Sequence, residues 1–324
     1  MKKTIFTIFR AVISIALIVI LLYIMRGNYS LIMGALKSTS PIIFALAFLA
    51  FVTAISIASM RLKFIISIQQ IPITFTESFS LTFIGYFFNN FLPTAIGGDV
   101  VKAYYLSKNT HHKMSAYTSI FVDRVMGLVT MMFMAFIALL FAKSGIIDEK
   151  LKYAIYAVTL CSLAVIVLAM NKKVAKKFAA ILFFLKPFED KLSKAYNVIH
   201  KYKHHNTLMA QSFLMSILSQ LFYFLSFGIL AWSIGSCIPP MEIFIRTPLV
   251  SALSLLPSIN GLGLREGSTV MLFGPIIGKT NAFAVSILWL ALLLMISVIG
   301  GIIYGLSPQF KVKIKNLKKE EAAI

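Results

Sequence analysis

Two apolar stretches of this chain are interrupted by similar polar and helix-breaking sequences: FNNFLPTAIGGD at residues 88–99 and LLPSINGLGLRE at residues 255–266. Proline removes a backbone hydrogen bond from a helix, and glycine releases the backbone from helical geometry. Each stretch therefore predicts two short helices separated by a break. The pattern L-P-[ST]-x-x-G recurs in both stretches at a constant offset of 164 residues, from Leu92 to Leu256, which indicates an internal repeat.

The sequence around the breaks is typical of a membrane protein. Of its 324 residues, 59% are hydrophobic and only 13% are charged, and the mean hydropathy is +0.88. About a quarter of the residues in a soluble domain are charged. Six further apolar runs are each long enough to cross a bilayer, for which about 20 residues suffice. They occupy residues 7–25, 41–60, 114–142, 151–170, 207–235 and 280–306.

The charge between the apolar runs determines the expected topology. The chain carries 31 Lys and Arg against 11 Asp and Glu, a formal charge of +20. Because this excess lies between apolar runs, it indicates cytoplasmic loops rather than a nucleic-acid-binding surface. The segment 171–206, with nine lysines and two acids, is therefore expected in the cytoplasm. The N-terminus and the tail 311–324 are also expected in the cytoplasm. This topology requires that the stretches 76–107 and 241–275 turn back within the membrane instead of crossing it.

These expectations define the fold class. We predict an all-α polytopic membrane protein with six spanning helices plus two broken re-entrant helical hairpins related as an inverted repeat. The hairpin 76–107 enters from the cytoplasm and the hairpin 241–275 from outside, as in many transporters that bind at the midplane. The chain 1–324 is expected to be a single membrane domain. Its parts are a first half 1–170, a basic loop 171–206, a second half 207–310 and a basic tail 311–324.

The candidate site residues lie at the breaks and inside one predicted span. Half-helices beginning near Gly98 and Gly263 would direct free N–H groups toward the membrane centre, which suits a phosphate. Arg124 and Arg265 are the expected phosphate ligands, because guanidinium matches phosphate oxygens in pairs; a purely structural pairing of these charges stays open. The substrate-binding candidates are Asn89, Asn90, Gly97, Gly98, Asp99, Lys102, Asp123, Arg124, Gly261, Gly263, Arg265 and Glu266.

Local rules predict roles for several of these polar residues. Adjacent side chains on a helix point about 100° apart, so Asp123 and Arg124 each need a separate partner, and one of the two is expected to pair with a broken hairpin. Asn89 and Asn90 are expected first as caps of freed backbone groups. Arg61, at the end of a predicted span, is expected to extend toward lipid headgroups.

Three motifs in order resemble a known family. They are Asn89-Asn90-x-x-Pro93-x-x-x-Gly97-Gly98-Asp99-x-x-Lys102, Asp123-Arg124-x-x-Gly127 and Gly261-x-Gly263-x-Arg265-Glu266-Gly267. Over nearly the whole chain the sequence is similar to the lysylphosphatidylglycerol synthase transmembrane region, also described as the flippase-like membrane domain family. In the full synthases a soluble domain makes the lipid and the membrane region moves it between leaflets. The resemblance therefore implies lipid translocation, and we expect this chain to lack lysyl transfer. The family usually carries Arg where this sequence has Lys102, which loses the bidentate fork.

The expected function is movement of an anionic or phosphate-bearing lipid, a phospholipid or a polyprenyl-linked lipid, between leaflets through a polar cavity. We expect no catalytic residue, metal or cofactor, so the chain is not expected to be an enzyme. An integral-membrane enzyme acting on a lipid phosphate and an accessory scaffold of a cell-envelope synthesis enzyme stay open as alternatives. The expected partners are anionic membrane lipids and no nucleic acid, with a homo-oligomer and a partner lipid-modifying enzyme left open. The expected location is the inner or plasma membrane, with both termini cytoplasmic.

Overall fold

The computed structural model describes residues 29–91, 97–108, 113–141, 200–256 and 260–307, together with a few positions between them. These residues are almost entirely helical, and no strand occurs among them. The helices are α1 Tyr29–Lys37, α2 Pro41–Ile68, α3 Phe75–Phe91, α4 Gly97–Lys108, α5 Lys113–Phe141, α6 Asn206–Ser233, α7 Pro240–Leu253, α8 Leu264–Ile277 and α9 Lys279–Leu306.

Four of these helices, α2, α5, α6 and α9, are long and apolar enough to cross a membrane. Each has 28 or 29 residues, which corresponds to about 42 Å of helix against a hydrocarbon layer of about 30 Å. They coincide with four of the six predicted spans. Of the other two, 7–25 is described only at Tyr23, and 151–170 is described only at residues 152, 153, 155–160 and 164. The chain is therefore an all-helical integral membrane protein.

The breaks separate short helices at the two predicted places. The pair α3 and α4 flanks the first break, and residues 92–96 between them lie outside the described part of the chain. The pair α7 and α8 flanks the second break, where Asn260, Gly261 and Gly263 have φ values of 49°, 76° and 81°. These left-handed conformations end the regular backbone and suit glycine. The half-helices begin at Gly97 and Leu264, within one residue of the predicted starts.

The two helices of each pair pack side by side. A Cβ atom at Gly98 would clash with the carbonyl oxygen of Gly85, so α3 and α4 are in backbone contact. In the second pair Arg246 on α7 donates from Nη1 to the carbonyl oxygen of Leu272 on α8, at 2.6 Å. Because Arg246 lies before the break and Leu272 well after it, the chain reverses direction between them.

The helices α2 and α6 form a close antiparallel pair through small residues. Ser219 Oγ donates to the carbonyl oxygen of Ala54 at 2.9 Å, and Ser226 Oγ donates to that of Ala47 at 2.8 Å. Residue numbers rise along one helix as they fall along the other, so the helices run in opposite directions. Small residues allow helices to approach in a membrane, where the hydrophobic effect between them is weak.

The order of helices repeats along the chain. The long helices α2 and α6 begin 165 residues apart, at residues 41 and 206, and α3 and α7 begin 165 apart, at 75 and 240. The starts of α5 and α9, at 113 and 279, are 166 apart. Within the described residues, each half thus contains a long helix, a broken pair and a second long helix. The halves interlock, because α9 packs against α3 and α7 packs against α5.

The contact between α9 and α3 depends on Gly300, where a Cβ atom would clash with the carbonyl oxygen of Phe83. We expect Gly300→Ala to destabilise the protein by about 1–3 kcal/mol, because neither backbone can move without disturbing its helix. The melting temperature of the detergent-purified protein measures this effect. Gly305→Ala is the matched control, since a Cβ atom there meets open space on the same helix. Equal melting temperatures for the two variants would contradict the close contact.

Candidate functional site

A cavity of about 170 Å³ lies where the two halves meet. The first half contributes Asn89 from the end of α3 and Arg124 from α5. The second half contributes the remaining lining residues, which include Arg265 in the first turn of α8 and Asn260 in the turn before it. Tyr223, Ser251, Ser254 and Trp289 complete the polar and aromatic part of the wall. Two arginines far apart in sequence therefore face one small space.

On the first-half side, Arg124 belongs to a cluster centred on Asp99. Arg124 Nη1 lies 2.5 Å from Asp99 Oδ2, and Lys102 Nζ lies 2.9 Å from Asp99 Oδ1. Asp99 is in the first turn of α4, where the helix dipole favours a carboxylate. The Arg124 side chain is 31% exposed, whereas those of Asp99 and Lys102 are 10% and 14% exposed. One carboxylate thus faces two cations, which leaves the cluster one positive charge in excess.

Asn89 connects this cluster to the break. Its Oδ1 accepts a hydrogen bond of 2.8 Å from the N–H of Gly98, one of the free N–H groups at the start of α4. The capping role predicted for Asn89 is therefore confirmed. The same side chain also lines the cavity, so the end of α3 and the start of α4 are held together at its wall.

On the second-half side, Arg265 pairs with its neighbour Glu266. Arg265 Nη2 lies 2.6 Å from Glu266 Oε1, and both side chains are nearly buried. Glu266 Oε2 accepts the N–H of Gly263 at 2.6 Å, which caps the start of α8. The two residues are adjacent on α8, and their side chains are long enough to reach each other.

Asp123 forms another ion pair, between the long helices α2 and α5. Arg61 Nε on α2 lies 2.8 Å from Asp123 Oδ1, and Arg61 Nη1 donates to Ser216 Oγ on α6 at 2.9 Å. The expectation that Arg61 extends toward lipid headgroups is wrong, because its side chain is only 9% exposed. Helix α2 continues to Ile68, so Arg61 lies two turns before its end. Gly127 makes room for the guanidinium, with a Cβ atom there only 3.3 Å from Nη1.

The chain matches a known protein family. The family model of the lysylphosphatidylglycerol synthase TM region matches residues 8–301. The chain belongs to this family. The resemblance predicted from its three motifs is thereby confirmed. A UPF0104 membrane protein of Methanocaldococcus jannaschii is 28% identical over 262 residues, 74% of this chain and 76% of that protein. A UPF0104 membrane protein of Methanothermobacter thermautotrophicus is 25% identical over 297 residues, 82% and 83% of the two chains. No solved structure matches significantly.

The structure of this lysylphosphatidylglycerol synthase TM family member brings most of the candidate residues together. Three of them line the cavity: Asn89, Arg124 and Arg265. Gly98, Asp99 and Glu266 contact those three directly, and Lys102 contacts Asp99. Outside the cavity lining lie Gly97, Asp123, Gly261 and Gly263. The side chain of Asn90 lies outside the described part of the chain. As predicted, Asp123 and Arg124 have different partners, and Arg124 pairs with the broken hairpin.

Several residues that line the cavity of this family member were not predicted from the sequence. Tyr223 and Trp289 occur in long apolar helices, where an aromatic residue carries no signal of a polar cavity. Ser254 lies 165 residues after Asn89, the offset of the helix starts, whereas the 164-residue offset of the L-P-[ST]-x-x-G pattern pairs it with Asn90. The sequence repeat alone therefore did not identify it.

Proposed function

We propose that this protein binds the phosphate of an anionic lipid between Arg124 and Arg265 and moves the headgroup between the two leaflets. The observation that carries the proposal is the convergence of these arginines, one from each half of the chain, on a single cavity. A ligand held by both halves is exposed to a new side of the membrane when the halves move relative to each other. Phospholipids and polyprenyl-linked lipids both present the phosphate that this site would bind.

The charge balance of the cavity favours an anion. Arg265 and Glu266 neutralise each other, whereas Arg124 and Lys102 share the single carboxylate of Asp99. The paired side chains are largely buried, and charges interact more strongly there than in water. A phosphodiester would balance the excess positive charge. Arginine can also direct two parallel N–H donors at two phosphate oxygens, a planar geometry that lysine lacks.

The size of the cavity suits the headgroup of a lipid. An apolar cavity of about 150 Å³ holds one benzene molecule, so 170 Å³ accommodates a phosphate with a small substituent. The acyl or polyprenyl chains must then remain in the surrounding membrane. A transporter of this kind moves only the polar part of its substrate through the protein.

The arrangement of the halves supports an inverted repeat with two re-entrant hairpins. Equivalent helices of an inverted repeat run in opposite directions, and α2 and α6, which occupy equivalent positions, pack antiparallel. Each broken pair reverses direction at its break, which a re-entrant hairpin requires. Broken helices at a repeat interface are the usual sites of substrate binding in such transporters.

We further propose that the protein acts in the plasma membrane, with both termini in the cytoplasm, and that it leaves the lipid covalently unchanged. The orientation is supported by the nine lysines of the segment 171–206. A headgroup bound by ion pairs can cross to the other leaflet without any bond being formed or broken. Binding and movement of an unmodified lipid headgroup are therefore sufficient to explain why the cavity is charged.

A liposome assay tests the proposal directly. The purified protein is reconstituted into vesicles that contain phosphatidylglycerol labelled on one acyl chain with a dithionite-sensitive fluorophore. We expect protein-containing vesicles to expose more labelled phosphatidylglycerol to dithionite than protein-free vesicles do, with little effect on labelled phosphatidylcholine. Equal values for protein-containing and protein-free vesicles would contradict the proposal, as would equal movement of both lipids. Mass spectrometry of the recovered lipid separates transport from a lipid-modifying reaction.

A further inference from the structure

The two cavity arginines have differently paired carboxylates. Glu266 pairs with Arg265, whereas Asp99 pairs with both Arg124 and Lys102. We propose that Lys102 stays on Asp99 as a fixed counter-charge, so that Arg124 can leave Asp99 and bind the substrate phosphate. Lys102 would thus be a positioning residue that does not touch the lipid. This inference rests on the proposed function, because it describes how the same cavity exchanges a protein carboxylate for a phosphate.

The two oxygens of Asp99 have separate partners. Oδ1 faces Lys102 and Oδ2 faces Arg124, so the loss of either cation leaves the other in place. Arg124 lines the cavity and its side chain is 31% exposed, whereas Lys102 is 14% exposed and lies outside the lining. An anion that enters the cavity therefore competes with Asp99 for Arg124.

The position of Lys102 is fixed by packing. Its side-chain stem crosses α3 at Gly85, where a Cβ atom would clash with Lys102 Cε. The ammonium group is thereby directed at Asp99 from the side of α4 and α3, while Arg124 approaches from α5. A buried carboxylate is costly when it loses its only cation. Because Lys102 remains paired with Asp99, the carboxylate keeps a cation when Arg124 changes partner.

The second half of the chain lacks this arrangement at the equivalent position. Glu266 is the third residue of α8 as Asp99 is the third residue of α4, and three residues further on stands Thr269 in place of Lys102. The Thr269 hydroxyl donates to the carbonyl oxygen of Arg265 at 2.7 Å. The second half therefore has a neutral side chain at the position equivalent to Lys102. Arg265 would therefore bind the phosphate while it remains paired with Glu266. Arg124 would instead exchange Asp99 for the phosphate.

Tryptophan fluorescence provides a binding assay for this exchange. Of the two tryptophans, Trp289 lines the cavity and is 2% exposed, whereas Trp232 is 60% exposed. In a Trp232→Phe background the single remaining tryptophan reports on the cavity. The probe is dihexanoyl phosphatidylglycerol titrated into the detergent-purified full chain, with dihexanoyl phosphatidylcholine as the control lipid.

We expect Lys102→Gln to weaken phosphatidylglycerol binding by at least about tenfold, because Asp99 then retains Arg124. The double variant Asp99→Asn, Lys102→Gln should restore binding to near the unsubstituted level, since a neutral amide no longer holds Arg124. Asp99→Asn alone should bind at least as tightly as the unsubstituted protein. These outcomes are expected if Asp99 and the phosphate compete for Arg124.

Other results would overturn the inference in distinguishable ways. If Lys102 touches the phosphate itself, the double variant will bind as weakly as Lys102→Gln. If Lys102 only stabilises the fold, the folded fraction of Lys102→Gln will bind normally; should that variant not fold, weaker binding by Asp99→Asn will refute the competition. Failure of the unsubstituted protein to prefer phosphatidylglycerol would instead refute the proposed function.

Discussion

Replacement of Arg265 by alanine is expected to abolish lipid movement by the fraction of the protein that folds. The substitution removes one of the two cavity arginines and leaves the Glu266 carboxylate without its cation. The net charge around the phosphate then falls from one positive to zero. Hydrogen bonds to charged groups contribute about 1.5–3 kcal/mol each, so two lost contacts reduce binding by at least about 100-fold. The dithionite assay with labelled phosphatidylglycerol measures the loss.

A matched variant separates the loss of a ligand from the loss of an ion pair. Arg246 on α7 pairs with Glu242 at 2.6 Å, its side chain is similarly buried, and it lies outside the cavity lining. Arg246→Ala therefore breaks a buried ion pair in the same broken hairpin without removing a cavity cation. Its folded fraction should move phosphatidylglycerol at the unsubstituted rate. If both variants lose transport equally, the effect is structural and Arg265 is not a phosphate ligand.

Replacement of Arg61 by alanine is expected to lower the stability of the protein strongly. The guanidinium connects three long helices, with Asp123 of α5 and Ser216 of α6 both bound to this residue of α2. Removing it leaves the Asp123 carboxylate unpaired in a buried environment, which costs about 3–5 kcal/mol. The melting temperature of the detergent-purified protein should fall accordingly.

The double variant Arg61→Met, Asp123→Leu tests the cause of that loss. A buried ion pair is often replaceable by apolar residues of similar size, because the desolvation of both charges disappears with them. We therefore expect the double variant to be more stable than Arg61→Ala and to retain lipid binding, since neither residue lines the cavity. If it is as unstable as the single variant, the interface depends on the shape of the arginine rather than on charge compensation.

Several features were predictable because they depend on neighbouring residues alone. Long apolar runs predict membrane helices, and four of the predicted runs coincide with α2, α5, α6 and α9. Proline and glycine disrupt helical hydrogen bonding wherever they stand, so the half-helix starts at Gly97 and Leu264 fell close to the predicted positions. The angular separation of adjacent side chains predicted that Asp123 and Arg124 have different partners, although the adjacent residues Arg265 and Glu266 do pair with each other.

Other features depend on helices that are distant in sequence. Arg61 and Asp123 are 62 residues apart, and nothing near Arg61 distinguishes a buried arginine from one that reaches the lipid surface. The helix starts show the 165-residue repeat more clearly than the short L-P-[ST]-x-x-G match does. The cavity lining includes Tyr223 and Trp289, whose role depends only on which neighbours they face.

The sequence by itself therefore determined the class of protein, the places where its helices break and the short set of charged residues at those breaks. These properties follow from hydropathy and from the backbone preferences of proline and glycine, which act locally. Only the tertiary structure decided which charges neutralise one another and which face the cavity. A charge in a membrane protein must find a partner within a few ångströms, and the packing of the two halves brings Arg124 and Arg265 to the same space.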